Sequence, residues 1–120
     1  MSCDRFIRFD KGKVPLRADL KFALEDYLGA FMTHIKWVNG SWVAQLEGGK
    51  SWPFKRLEAD SRLAAAREEE AKENRCIEVF IASDNIDVIT RRADEATMNL
   101  ADGFAKLVTR YWKGKLEMDK

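Results

Sequence analysis

Thr33-His34-Ile35-Lys36-Trp37-Val38-Asn39-Gly40-Ser41-Trp42-Val43-Ala44-Gln45-Leu46 contains two alternating runs that meet at Asn-Gly. A two-residue hairpin loop needs positive φ at both of its positions, which Asn and Gly tolerate better than other residues. Closing the loop at Asn39-Gly40 pairs Val38 with Ser41, Trp37 with Trp42 and Ile35 with Ala44. Side chains alternate across a strand, so Thr33, Ile35, Trp37, Trp42, Ala44 and Leu46 fall on one apolar face. His34, Lys36, Val38, Ser41, Val43 and Gln45 fall on the other, more polar one. A slip of one residue would break this agreement, so turn chemistry and pattern specify the same register.

Upstream of the hairpin, Arg5 to Phe9 is short and β-prone, and it runs into the turn signal Asp10-Lys11-Gly12. Leu16, Leu20, Ala23, Leu24, Tyr27 and Leu28 then recur at helical spacing between Pro15 and Gly29, a start and a stop. Downstream, Gly48-Gly49 and Pro53 break the pattern, and residues 58–75 shift to Ala, Glu and Arg with a thin apolar stripe. That composition predicts an exposed helical or mobile connector, because a charged segment that buries little cannot offset its ordering entropy. A second hairpin follows. A loop at Asp84-Asn85 places Ile77, Val79, Ile81, Ile86, Val88 and Thr90 on one face and Glu78, Phe80, Ala82, Asp87, Ile89 and Arg91 on the other, with Glu78 opposite Arg91. A last helix is predicted from about Ala93 to Lys113, with Asp94 and Glu95 in its first turn, a stripe of Ala93, Ala96, Leu100, Phe104, Leu107, Val108 and Tyr111, and Gly114 as its stop.

The order strand, helix, hairpin, connector, hairpin, helix predicts an α+β two-layer sandwich. An antiparallel sheet of about five strands, two hairpins plus an N-terminal strand, carries two amphipathic helices on one face. At 120 residues the chain suits one domain spanning residues 1–120.

Composition narrows the function classes. Twenty-one basic residues against twenty acidic ones leave a formal charge of +1, which argues neither for nucleic acid nor for an anionic membrane. Cys3 and Cys76 form no disulfide framework and lack zinc-site spacing, so reduced thiols in a cytoplasmic protein are expected. No apolar run approaches transmembrane length, and the first residues lack the apolar centre of a signal peptide. Asn39-Gly40-Ser41 matches a glycosylation acceptor formally, but turn formation accounts for it.

Motif chemistry is sparse. Gly48-Gly49-Lys50-Ser51 imitates the end of a P-loop, yet Ala44 stands where the leading glycine belongs and Trp52-Pro53 follows where a helix must begin. His34 is the single histidine and falls on the polar strand face, which leaves no nucleophile and base pair to assemble. Turn formation explains Asp84 and helix-start placement explains Asp94 and Glu95, and no apolar pocket marks Asp84 with Asp87, or Asp102, as an acid-base site. The sequence therefore predicts no enzyme, cofactor or metal. Two features point to binding. Trp52 and Phe54, beside Lys55 and Arg56, lie outside any regular pattern, and Val43, Phe80 and Ile89 are expected to look outward from the second sheet face, as exposed apolar groups at an interface do. Trp37 and Trp42 are read as core.

The stretch Cys76 to Lys115, a hairpin followed by Asp94, Leu100-Ala101-Asp102, Lys106-Leu107, Arg110 and Lys113-Gly114-Lys115, is similar to the C-terminal half of ribosome hibernation proteins. These are small α+β modules that bind ribosomal RNA. The likeness covers a third of the chain, the first half departs from it, and no functional residue carries over. The leading expectation is a non-enzymatic module that associates with protein, as a homodimer or with another partner. The alternative is an RNA- or ribosome-associated binder using Lys50, Lys55, Arg56, Arg91, Arg92, Arg110, Lys113 and Lys115.

Overall fold

A computed structural model describes residues 2–47, 75–91 and 93–118. Strand β1 spans Ser2–Arg8, helix α1 Arg17–Leu28, β2 Met32–Val38, β3 Ser41–Leu46, β4 Cys76–Ile81, β5 Asn85–Arg91, helix α2 Glu95–Trp112 and β6 Lys115–Met118. The strands form one antiparallel sheet in the order β2-β3-β4-β5-β1-β6. The α+β class and the two helices agree with the sequence. The sheet has six strands where about five were expected, because the chain beyond α2 returns beside β1 with Leu116 opposite Ile7. Residues 58–74 of the expected connector lie outside the described residues, whereas Arg75 leads into β4.

The first hairpin forms in the anticipated register. Asn39 and Gly40 take φ of 46° and 85°, and Val38 pairs with Ser41, Trp37 with Trp42 and Ile35 with Ala44. Its far end differs. The register shifts between Met32 and His34, so Met32, not Thr33, sits opposite Leu46 and packs against the core. Thr33 is left exposed and donates its hydroxyl to the Gln45 carbonyl at 3.1 Å.

The second hairpin turns one residue earlier than expected. Ala82 N–H bonds the Asn85 carbonyl at 2.9 Å, which makes Ser83-Asp84 the loop, and neither residue has positive φ. Glu78 consequently stands opposite Ile89, and its ion pair with Arg91 is diagonal, at 2.6 Å. The shift changes pairing by two residues, an even number, so every residue keeps the face expected for it.

One sheet face meets both helices. Ile7, Ala44, Leu46, Ile77, Val79, Ile86 and Val88 are buried there with Leu20, Leu24 and Leu28 of α1 and Ala101, Phe104, Ala105 and Val108 of α2. Burying a side chain of Leu or Phe size contributes about 1.5–3 kcal/mol, so this layer supplies the main stabilisation. Gly29, at φ 52°, ends α1 where a side chain would be strained. In α2 the Asp94 side chain accepts the Thr97 N–H at 2.8 Å and caps the helix.

The buried stripe of α2 is Thr97, Ala101, Phe104, Ala105 and Val108, rotated from the expected one. Small residues face the sheet, and Leu100 and Leu107 are half-buried at the flank. Lys113, not a glycine, takes the left-handed position at φ 57° that ends α2. Gly114 is required for a different reason: a Cβ there would lie 2.5 Å from Ile7 Cγ2 and 2.8 Å from Phe9 Cε1.

One charged residue enters this layer. Arg5, 3% exposed, projects between β1 and α2, where its guanidinium pairs with Asp102 and donates to the Cys3 and Val88 carbonyls and to Thr90 Oγ1 at 3.2–3.3 Å. A buried cation is tolerated when its donors are satisfied in this way.

Candidate functional site

Two surfaces of the described chain carry features that packing alone does not account for. The first is the sheet face turned away from α1 and α2. Register places Phe6, Asp87, Phe80 and Ser41 in one row across it, and Asp4, Ile89, Glu78, Val43 and Lys36 in the next. Phe80 is 39% exposed, Phe6 37%, and Ile89 is half-buried. Val43 occupies the expected face but is only 2% exposed, which corrects its reading as an outward contact. Its neighbours Gln45 and Cys76 are buried as well, with the thiol donating to Gln45 Oε1 at 3.1 Å. Burial, and then the Glu78 charge, pushes the Cys76 thiol up to about 12, so it carries no thiolate near neutrality.

Asp87, between the two phenyl rings, is 8% exposed and its Oδ1 has no hydrogen-bond partner among the described residues. Burial, and after it the Asp4 charge, pushes this carboxyl up to about 6, against the Arg5 backbone N–H and the Arg5 and Arg91 charges. Sequence reasoning marked no carboxylate as perturbed. Strand alternation placed Asp87 on the outer face, but it gave no sign that this position of that face is closed to water.

The second surface is an open groove of about 710 Å³ between α1 and α2, on the side of the helix layer away from the sheet. Asp19, Phe22, Ala23 and Asp26 line it from α1, at positions i, i+3, i+4 and i+7, and Leu107, Tyr111 and Trp112 line it from α2. Phe22 is 69% exposed and Tyr111 74%, far more than a packed aromatic. Close helix contact at one end holds the walls. Tyr27 of α1 lies 5.7 Å from Phe104, and its hydroxyl occupies the space that a side chain at Gly103 would need. Burial, with the nearby Asp102 charge, raises the Tyr27 hydroxyl above its ordinary value.

The sequence counted Tyr111 among the core positions of α2. It left Phe22 off the apolar stripe of α1, and a large aromatic off that stripe was the available signal for this groove.

The remaining expected residues divide as follows. Trp52, Phe54, Lys55 and Arg56 lie outside the described residues. Trp37 and Trp42 face the helix side but at its margin, where they stack edge to face at 5.1 Å under the first turns of α1. The Arg17 guanidinium sits 4.6 Å from the Trp37 ring, and Trp42 Nε1 donates to the Arg17 carbonyl at 2.8 Å. Trp42 is thus half-buried core, whereas Trp37 is partly exposed. His34 is exposed, Arg91 is held by Glu78, and Arg110, Lys113 and Lys115 are exposed around the end of α2. Among the described residues no group of three or more His, Cys, Asp or Glu is arranged to hold a metal ion, and no helix is long and apolar enough to cross a membrane.

No family model matches the chain, and neither does any curated protein or solved structure. The likeness of Cys76 to Lys115 to ribosome hibernation proteins gains no support from these comparisons.

Proposed function

We propose that this chain is a small binding module, without catalytic activity, that works by associating with protein and in the first place with a second copy of itself. The observation that carries this reading is the exposure of Phe22 and Tyr111 across one groove, with Trp112 and Leu107 half-buried beside them. Contiguous exposed aromatic surface rimmed by charge is the composition of an interface, and aromatic residues contribute disproportionately to association. Phe6 and Phe80 on the outer sheet face form a second, less exposed pair, on the side where the sequence placed the contact. Balanced charge is in keeping with a protein partner, since a phosphate backbone would select a basic excess.

The test is the molar mass of the purified chain by light scattering across a concentration series, in low and in high salt. Self-association predicts a rise from monomer toward dimer mass that persists at high salt, because burial of apolar area is not screened. A monomer mass at every concentration up to about 1 mM, the upper limit of useful affinity, would remove the reading.

A further inference from the structure

The two helices that border the groove present opposite charges toward solvent. On α1, Asp19 and Asp26 line it and are exposed. On α2, Lys106 and Arg110 stand one turn apart and are both exposed on the side opposite the buried stripe; Arg110, three residues beyond Leu107, borders the groove, and Lys106 lies further round toward solvent. Acidic groups on the outer side of one helix and basic groups on the outer side of the other suit a surface that pairs with a copy of itself.

The helix directions decide how a copy would fit. Tyr27, near the end of α1, meets Gly103 and Phe104 in the middle of α2, while Asp19 and Phe22 line the groove with Leu107, Tyr111 and Trp112. The helices are therefore antiparallel. Counting away from the Tyr27 and Phe104 contact in opposite directions, Asp26 stands at the height of Ala105 and Asp19 at the height of Trp112. At 1.5 Å per residue, Asp26 is level with Lys106, and Asp19 with Arg110, to within about 3 Å along the axis.

A twofold rotation about an axis parallel to the helices, lying in the groove's outer plane, preserves these heights and exchanges the two sides. It sets α1 of one copy on α2 of the other. From this geometry we infer that the groove is the self-association surface of the protein, closed by a second copy in which Asp19 and Asp26 of each α1 face Arg110 and Lys106 of the other copy's α2, with Phe22 and Tyr111 buried between. The contact is isologous, so each ion pair occurs twice. The inference rests on the self-association reading and names the face and register for it. Sheet-face association through Phe6 and Phe80 is the competing geometry.

Charge reversal tests it on exposed residues whose replacement leaves the core intact. One variant carries Asp19→Lys and Asp26→Lys, the other Lys106→Glu and Arg110→Glu. Each alone turns four attractive pairs per dimer into repulsive ones. At a factor of about two for each exposed pair, self-association of either variant falls by at least roughly fifteenfold. A 1:1 mixture restores it, because the all-basic helix pair of the first variant then faces the all-acidic pair of the second. Sedimentation velocity on the two variants and their mixture reads the result. Variants that self-associate like the wild type would overturn the assigned surface while leaving self-association standing. A mixture as monomeric as its components would overturn the reciprocal pairing, and a wild type that never leaves the monomer would remove both the surface and the reading beneath it.

Discussion

Replacing Asp87 by Asn removes a charge from the outer sheet face at nearly constant shape, and its effect on folding should depend on pH in a defined direction. The carboxyl is pushed from 3.8 up to about 6 because it is buried, close to Asp4, and without a partner on Oδ1. A carboxyl whose folded pKa exceeds its unfolded one binds more protons in the folded state between those values, so stability falls as pH rises from about 4 through 6. At one pKa unit per 1.36 kcal/mol, a rise of that size corresponds to at most about 3 kcal/mol, which solvent screening around the carboxyl reduces to about 1–2 kcal/mol lost above pH 7. Asn is neutral throughout but has no better partner for its amide, so it should recover about 1–2 kcal/mol at pH 8 and nothing at pH 4. Urea unfolding followed by tryptophan fluorescence measures this. The midpoint of the variant should exceed that of the wild type by roughly 0.5–1 M at pH 8 and coincide with it near pH 4. Asp94, held low mainly by its hydrogen bond from Thr97, acts with the opposite sign in both proteins and cancels in the difference. Parallel midpoints for the two proteins from pH 4 to pH 8 would refute a buried Asp87 carboxyl with a raised pKa.

Three further substitutions probe the packing that holds the groove and the sheet. Gly114→Ala should cost about 1–3 kcal/mol in urea unfolding, because its Cβ would press on Ile7 and Phe9 in the core. Gly103→Ala presses hardest on the Tyr27 hydroxyl, with the ring carbon Cζ next at 3.2 Å, so it should be about 1 kcal/mol better tolerated in a Tyr27→Phe background than alone, a coupling that a double-mutant cycle reads. Asp102→Asn leaves the Arg5 guanidinium with its three neutral acceptors but no counter-charge. It should cost about 2 kcal/mol, less than a fully buried pair because Asp102 is partly exposed to water, and the loss should appear as a lower thermal midpoint.

What could be read from the residues was what local chemistry determines. Asn39-Gly40 specified its turn and register because few dipeptides accept positive φ twice. The faces of the second hairpin survived a misplaced loop because side chains alternate with period two, so a shift by two residues is silent. Features set by tertiary fit were not legible. Lys115–Met118 is four residues long, too short for alternation to show, and becomes a strand only because β1 offers an unpaired edge. The α2 stripe turned toward Thr97, Ala101 and Ala105 because small side chains let the helix approach the sheet, which a count of large apolar residues does not register. Arg5 lies inside with nothing in its local sequence to mark it, since only the fold brings Asp102 to it. The groove's aromatic and acidic lining comes from helices more than eighty residues apart, brought together by the packing of Tyr27 against Gly103 and Phe104.

A dilution series of amide spectra on the 15N-labelled wild type locates the self-associating surface residue by residue. Closure of the groove by a second copy predicts concentration-dependent shifts concentrated in α1 from Asp19 to Asp26 and in α2 from Lys106 to Trp112, with Phe6, Phe80 and Asp87 unmoved. Shifts centred on the sheet-face residues, or spectra unchanged over the whole concentration range, would contradict it.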